Sequence, residues 1–150
     1  MKKSTSLIQN KFVLGSSGLL LMILVIWADS QRIKIVDKSE TLMRSSTQSY
    51  HTRSLDKIRQ IVIHHSASIG QRAEDYAIYH VQKKGWPGIG YHIVIEVTGM
   101  IVQCHSLATI CYGVENNNTP SINICLSGHF GNQEPSPEQL KSLKKVIDHF

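Results

Sequence analysis

The sequence predicts an α/β fold whose strands and helices follow the order β-α-β-β-β-α over residues 61–150, preceded by an N-terminal transmembrane helix. Three observations support this prediction. Residues 61–65 form a short run rich in β-branched side chains, as in a buried strand, and a segment with helical spacing follows them. Residues 137–150 repeat apolar side chains with helical spacing. Residues 12–28 are mostly apolar and carry no charge.

The apolar stretch at residues 12–28 lies at the lower limit of the length that spans a hydrocarbon layer of about 30 Å. Residues 1–11, which contain three lysines, form a basic region in front of it. If the stretch were a signal peptide cleaved after Ala28, Ile26 would lie where a small residue is preferred. We therefore favour an uncleaved signal anchor over a cleaved peptide. It predicts a single-pass protein of the cell membrane with an extracytoplasmic C-terminal domain.

The positive charge of the chain lies mainly in its N-terminal part. Residues 1–60 contain ten Lys and Arg against four Asp and Glu, whereas residues 61–150 contain six against seven. Because a nucleic-acid-binding domain is basic where it folds, we expect no nucleic-acid partner. Residues 29–57 are rich in Ser, Thr and Gln with little periodicity and predict a linker or extended arm, which leaves residues 58–150 as the folded domain.

The first strand, at residues 61–65, delivers an imidazole close to its carboxyl end. Side chains alternate between the faces of a strand, so His64 and His65 point to opposite sides, and we interpret His65 as structural. A helix is predicted over residues 71–84 from its apolar spacing, and Gly85 suits the left-handed residue that ends it.

The rest of the domain is predicted as a hairpin, a surface loop, a strand and a helix. Gly99 supplies the positive φ of the hairpin turn, and Ser136 followed by Pro137 is typical of a helix N-terminus with a capping box. The two hairpin strands cover residues 91–97 and 100–104, and the loop covers residues 105–120. The strand covers residues 121–126, and the helix covers residues 137–150.

Five segments in one order carry a family resemblance. They read IVIHHSA (residues 61–67), GWPGIGYH (85–92), VTGMI (97–101), NTPSINICLSG (118–128) and SPEQL (136–140). Together they closely resemble the N-acetylmuramoyl-L-alanine amidase and peptidoglycan recognition protein family, the type 2 amidase domain. The resemblance covers roughly residues 58–150 and implies a mixed β-sheet flanked by helices.

The resemblance also implies a chemistry and a partner. His64 matches the family's first zinc ligand, and Tyr91 matches its active-site tyrosine, which assists at the scissile carbonyl. A zinc ion with three protein ligands lowers the pKa of its bound water to about 7 and polarises a carbonyl. The implied activity is hydrolysis of the amide between the lactyl group of N-acetylmuramic acid and L-Ala in peptidoglycan. We expect the imidazole of His64 and the phenol of Tyr91 to face one cleft.

The sequence departs from the family pattern in its ligands. The family's second zinc histidine, its third ligand and a nearby Lys or Glu follow the helix that here begins at Pro137, and these 150 residues do not contain them. We therefore expect a C-terminally incomplete domain with one of three zinc ligands. The alternative is a non-catalytic peptidoglycan-binding module. In addition, Cys111-Tyr112-Gly113 lies where many relatives have a substrate-contacting His-Ala, and Asn123 replaces a frequent Gly.

Several other residues have simpler interpretations. We expect packing or hydrogen bonding for His80, His92 and Trp86. None of the family's zinc-ligand positions is matched by His105, His129 or His149. Cys104 and Cys125 lie in apolar strand-like runs, where a small buried thiol is expected.

Overall fold

The computed structural model describes residues 33–150. The predicted basic region at residues 1–11 and signal anchor at residues 12–28 lie outside the described residues. Within residues 33–150, no helix has the length and apolarity needed to cross a membrane.

The core of the fold is a five-stranded mixed sheet, which confirms the predicted architecture of a mixed sheet flanked by helices. Its strands lie in the order β1-β4-β3-β5-β2, and only the β3–β4 pair, which forms the predicted hairpin, is antiparallel. The strands are β1 (Ile35–Asp37), β2 (Gln60–His65), β3 (Ile93–Ile95), β4 (Ile101–Gln103) and β5 (Ser121–Leu126).

Two helices cover the two faces of the sheet. Helix α1 (Ala73–Gln82) follows β2, and helix α2 (Pro137–His149) follows β5, while short 3-10 helices occupy Leu55–Lys57 and Glu115–Asn117. Alternation along each strand divides the apolar side chains between two cores. The first core contains Ala73, Tyr76 and Ala77 of α1 with Val94, Val102 and Cys125. The second contains Val146 of α2 with Ile93, Ile95, Ile101, Ile122, Ile124 and Leu126.

Helix α2 begins as the sequence predicts and is fastened by one side chain. Ser136 Oγ accepts a hydrogen bond from the Gln139 backbone N–H at 3.0 Å, and Gln139 Oε1 accepts one from the Ser136 N–H at 3.1 Å. Gln139 Nε2 then donates to the carbonyls of Ile95 and Ser127. The capping residue thus joins the helix start to β3 and to the end of β5.

Part of the segment predicted as a linker belongs to the folded domain. Strand β1 lies at its beginning and pairs in parallel with β4, Leu42 is buried in the first core, and Arg53 is only 8% exposed. A three-residue strand is too short to show a period in the sequence, which is why composition alone indicates an extended arm.

The strand predicted at residues 91–97 is shorter, so that Tyr91 and His92 precede β3. The carbonyl of His92 accepts hydrogen bonds from two successive amides, those of Cys104 at 2.8 Å and His105 at 3.4 Å. Such sharing is typical of a bulge, which interrupts the regular ladder. Tyr91 therefore lies outside the regular strand, and its side chain lines the neighbouring cleft.

Candidate functional site

A cleft of about 550 Å³ opens at the carboxyl end of β2, beside α1. The loop after β2 forms one wall, and the exposed side of α1 and the turn before β3 form the other. The lining residues are Ser66, Ala67, Ser68, Gln71, Tyr76, Tyr79, His80, Lys84, Trp86 and Tyr91. The cleft combines four aromatic side chains with hydroxyl groups and one ammonium group, a composition suited to a polar ligand that also has apolar surface.

Tyr91 lies at the centre of this arrangement. Its ring centroid is 5.9 Å from that of His64, 5.4 Å from that of His80 and 6.4 Å from that of Tyr76. Burial, and then the neighbouring Cys125 thiol, raise the pKa of the Tyr91 phenol. The phenol therefore remains protonated at neutral pH and can donate a hydrogen bond.

His64 stands beside Tyr91 but makes a contact that its sequence position does not indicate. Its Nε2 lies 3.2 Å from Oδ1 of Asn123, on the neighbouring strand β5. The structure thus brings the rings of the two predicted site residues close together, but Tyr91 lines the cleft, whereas His64 is not among the lining residues and its Nε2 is turned to β5.

The loop after β2 is fixed by a hydroxyl network around Ser66. Ser66 Oγ accepts hydrogen bonds from the Tyr76 hydroxyl and from the Gly128 backbone N–H, both at 2.9 Å, and from the Ser68 hydroxyl at 3.1 Å. Ala67 within this loop has a φ of +52°, a conformation that costs an alanine about 1 kcal/mol. The network holds one wall of the cleft against the ends of β5 and α1.

His80 and Trp86 form the opposite wall. The Gly90 backbone N–H donates to His80 Nδ1 at 3.0 Å, which makes the ring a neutral imidazole with its proton on Nε2. Burial, reinforced by Lys84, lowers the pKa of His80 to about 4. The Trp86 ring stacks obliquely on His80 with centroids 4.7 Å apart. The sequence indicates Trp86 simply as core, whereas the structure places it half-buried on the wall of the cleft.

The loop predicted at residues 105–120 is tied to the domain by Arg53. Its guanidinium donates to the carbonyls of Leu107, Asn118 and Ser121 at 2.8 to 3.1 Å and also to that of Thr119. Among the described residues, Arg53 takes part in no ion pair. This loop carries Tyr112, whose ring meets Trp86 edge-on at 5.9 Å. The sequence does not indicate this role of Arg53, because no motif surrounds it.

Two histidines are buried and hydrogen-bonded. The sequence predicts this role for His92 and assigns no role to His105. His92 Nδ1 accepts from the Asn123 backbone N–H at 3.0 Å, and its Nε2 donates to the carbonyl of Thr109 at 2.9 Å. His105 Nε2 donates to the carbonyl of Ile89 at 2.9 Å. Burial lowers the pKa of each imidazole to about 4, so both are neutral at pH 7. Cys104, Cys111 and Cys125 are buried free thiols.

The donor atoms present do not fit a zinc site. Within residues 33–150, no three His, Cys, Asp or Glu side chains come close enough together to hold a metal ion. His129 makes a ring contact with His65 on the far side of β2, and His149 lies near the end of α2, so neither joins His64. One imidazole alone is an insufficient donor set for zinc, which takes three or four protein ligands.

Comparisons with known proteins agree with this architecture. The sequence profile of a family described as N-acetylmuramoyl-L-alanine amidase matches residues 54–150. Peptidoglycan-recognition protein SC2 of Drosophila melanogaster is 24% identical over 123 residues, which cover 77% of this chain and 66% of that protein. Peptidoglycan recognition protein 1 of Bos taurus is 22% identical over 99 residues, with coverage of 60% and 52%.

A solved structure shows the same fold at low identity. The crystal structure of Drosophila peptidoglycan recognition protein SD superposes with a TM-score of 0.71 at 20% identity, covering 79% of this chain and 74% of that chain. The alignments span slightly less than two thirds of one curated relative and about half of the other.

Proposed function

The chain belongs to the N-acetylmuramoyl-L-alanine amidase family, and from that membership we propose that it binds peptidoglycan, with the stem peptide of a muropeptide lying in the cleft between the loop after β2 and helix α1. The observation that carries the proposal is the cleft itself, an open groove of about 550 Å³ with Tyr91, Trp86 and Tyr79 on its walls. Aromatic faces pack against the apolar parts of sugars and peptides, while the Ser68 hydroxyl, whose proton goes to Ser66, keeps lone pairs that can accept a hydrogen bond.

Charge supports a ligand with carboxylates. Lys84 lies at the rim of the cleft, with its ammonium 5.9 Å from the centroid of the Tyr79 ring. The cleft-lining residues include no Asp or Glu. Stem peptides of peptidoglycan carry free carboxyl groups, which a lysine at the rim attracts. Binding through these groups needs no metal ion.

Sedimentation with purified, insoluble peptidoglycan tests this proposal directly. The full chain should leave the supernatant when peptidoglycan is added, and Trp86→Ala should weaken that binding at least fivefold. Leu140→Ala is the matched control, because Leu140 is an exposed apolar residue on α2, away from the cleft. Equal binding by all three proteins, or no binding by the unmodified chain, would refute the proposal.

Amide hydrolysis is the second candidate function, favoured by the family's description and by the placement of His64 beside Tyr91. In this candidate, His64 would be a zinc ligand, zinc would supply an activated water and an electrophile, and Tyr91 would donate a hydrogen bond to the carbonyl oxygen between the lactyl group and L-Ala. Because the donor set of residues 33–150 does not fit zinc, we assign no hydrolytic step to it.

An assay for new amino termini distinguishes the two candidates. The full chain, supplied with zinc, is incubated with peptidoglycan, and the release of peptides that begin with L-Ala is measured. Binding without release, unchanged by a chelator, selects the binding function. Zinc-dependent release that His64→Ala abolishes selects the amidase.

We further propose that the domain lies outside the cytoplasm, held to the cell membrane by residues 12–28. The apolar, uncharged composition of that segment and the extracytoplasmic position of peptidoglycan support this location. Protease treatment of intact cells should remove a C-terminal tag, whereas full protection of the tag would contradict the orientation.

A further inference from the structure

A second cavity, of about 410 Å³, lies at the carboxyl end of β3, next to the start of α1. The loop before α1 forms one side of it, and the turn of the β3–β4 hairpin forms the other. Its lining includes Gly70, Gln71, Arg72, Glu96, Thr98 and Met100. Gln71 also lines the cleft that contains Tyr91, so the cavity and the cleft are neighbours.

The buried polar side chain of this cavity is Glu96, which is only 6% exposed. Its backbone N–H donates to the carbonyl of Met100 at 2.9 Å, and its carbonyl accepts from the Gly99 N–H at 2.8 Å. The hairpin turn therefore fixes the backbone that carries this carboxylate.

The carboxylate of Glu96 has fewer hydrogen bonds than it can accept. Its Oε2 accepts one from Arg72 Nε at 3.3 Å, and its Oε1 has no partner within residues 33–150. A carboxylate can accept about four hydrogen bonds, and a buried acceptor left without a donor costs free energy. The Arg72 side chain is 57% exposed, so it can turn outward and admit a donor to Glu96. A ligand with hydrogen-bond donors would supply what the carboxylate lacks.

The charges around the cavity select a neutral ligand. Among the residues that line it, only Arg72 and Glu96 are charged, and their charges cancel. The N-terminus of α1 adds a partial positive charge. A cation would be repelled by Arg72 and by the helix, and an anion would be repelled by Glu96. A hydroxyl group avoids both repulsions, because it can donate to a carboxylate and accept from a guanidinium.

We propose that this cavity is a sugar subsite, in which neighbouring hydroxyl groups of a neutral saccharide donate to Glu96 and accept from Arg72. Gly70 leaves room for the ring, because a Cβ atom built on it would meet no atom within 4 Å. The exposed side chains of Val97 and Met100 offer apolar surface to the C–H groups of the ring. The identity of the sugar rests on the proposed function: an N-acetylated sugar of the glycan strand lies in the cavity while the stem peptide lies in the cleft.

Titration of the ¹⁵N-labelled full chain with diacetylchitobiose, a neutral disaccharide without a peptide, tests the subsite. The amide signals of Gly70 and Thr98 should shift and reach saturation. Glu96→Gln keeps the shape of the side chain but removes its charge, and it should weaken the binding about fivefold. Glu115→Gln is the matched control, because Glu115 is exposed and lies in the loop before β5, at the other end of the sheet. If Glu96→Gln does not fold, Thr98→Trp fills the cavity from an exposed position and should abolish the shift of Gly70.

A stem peptide without sugars, followed through the indole signal of Trp86, tests the proposed function separately. If the peptide shifts Trp86 and the disaccharide leaves Gly70 and Thr98 unchanged, the subsite is refuted and the proposed function stands. If the disaccharide binds and the peptide does not, the proposed function fails and the subsite stands. Equal affinity of Glu96→Gln and the unmodified chain for the disaccharide would overturn the proposal. Shifts of Gly70 and Thr98 with cadaverine but not with the disaccharide would also overturn it, because they would indicate a site for cations.

Discussion

Arg53 is expected to be one of the most sensitive positions of the domain. Arg53 is 8% exposed, and its guanidinium donates to four backbone carbonyls, those of Leu107, Asn118, Thr119 and Ser121. Burial lowers the pKa of Arg53, yet the group remains charged because arginine does not deprotonate in proteins. A charged donor among neutral carbonyls stabilises the loop through hydrogen bonds alone.

The number of carbonyls that lose their donor sets the expected cost. A lysine has one nitrogen in place of a planar fork, so Arg53→Lys would leave about two of the four carbonyls without a partner. Ser121 is buried and Leu107 and Asn118 are half-buried, so each hydrogen bond lost to these carbonyls costs roughly 1 kcal/mol, which gives about 2 kcal/mol for Arg53→Lys. Arg53→Met would remove all four hydrogen bonds, but the carbonyl of the exposed Thr119 can bond to water, so the free energy of unfolding should fall by about 3 kcal/mol.

Urea unfolding followed by far-ultraviolet circular dichroism measures these costs. Arg59 provides the matched control, because it is exposed and donates to carbonyls of its own turn, those of Asp56 and Ile58. Arg59→Met should change the free energy of unfolding by less than about 0.5 kcal/mol. If Arg53→Met fails to fold, Arg53→Lys still gives a measurable value. A loss below 0.5 kcal/mol in Arg53→Lys would refute the reasoning.

Three other predictions follow from the geometry of the site. Gly113→Ala should destabilise the fold by about 1–3 kcal/mol through overpacking against Asn123, and the double variant with Asn123→Ala should recover most of that loss in a double-mutant cycle. Gly90→Ala should weaken peptidoglycan binding, because its Cβ would lie 2.7 Å from the Trp86 ring, and unchanged binding would contradict this. The free energy of unfolding should be highest above about pH 6.5 and should fall as the pH drops toward 4. In this range the histidines of the unfolded chain take up protons, whereas the buried ones of the folded chain do not. Three imidazoles have a folded pKa of about 4, those of His80, His92 and His105. At pH 5 each should lower the free energy of unfolding by on the order of 2 kcal/mol, which a lower urea midpoint would measure.

Local signals predicted the elements that lie close together in the chain. The capping box at Ser136 and the left-handed Gly99 are determined by neighbouring residues, and both occur in the structure as predicted. The strand at residues 121–126 was also predicted, because a run of apolar residues ended by Ser127 and Gly128 is typical of a buried strand.

The sequence pattern does not predict interactions between residues that lie far apart in the chain. Strand β1 is only three residues long, and its place in the sheet depends on pairing with β4, more than sixty residues later. The buried role of Arg53 depends on four carbonyls, which carry no sequence signal. The contact between Asn123 and His64 likewise needs the register of β2 against β5. The sequence pattern therefore predicts that His64 and Tyr91 lie close together, but it does not predict the contact between His64 and Asn123.

We propose that the cleft beside α1 binds peptidoglycan without a metal ion. The most direct measurement is the affinity of the full chain for soluble muropeptide by titration calorimetry, with and without a chelator, and with Trp86→Ala beside Leu140→Ala. We expect the same affinity with and without the chelator, a loss of at least fivefold in Trp86→Ala and no change in Leu140→Ala. Absence of binding, or binding that appears only when zinc is added, would contradict it.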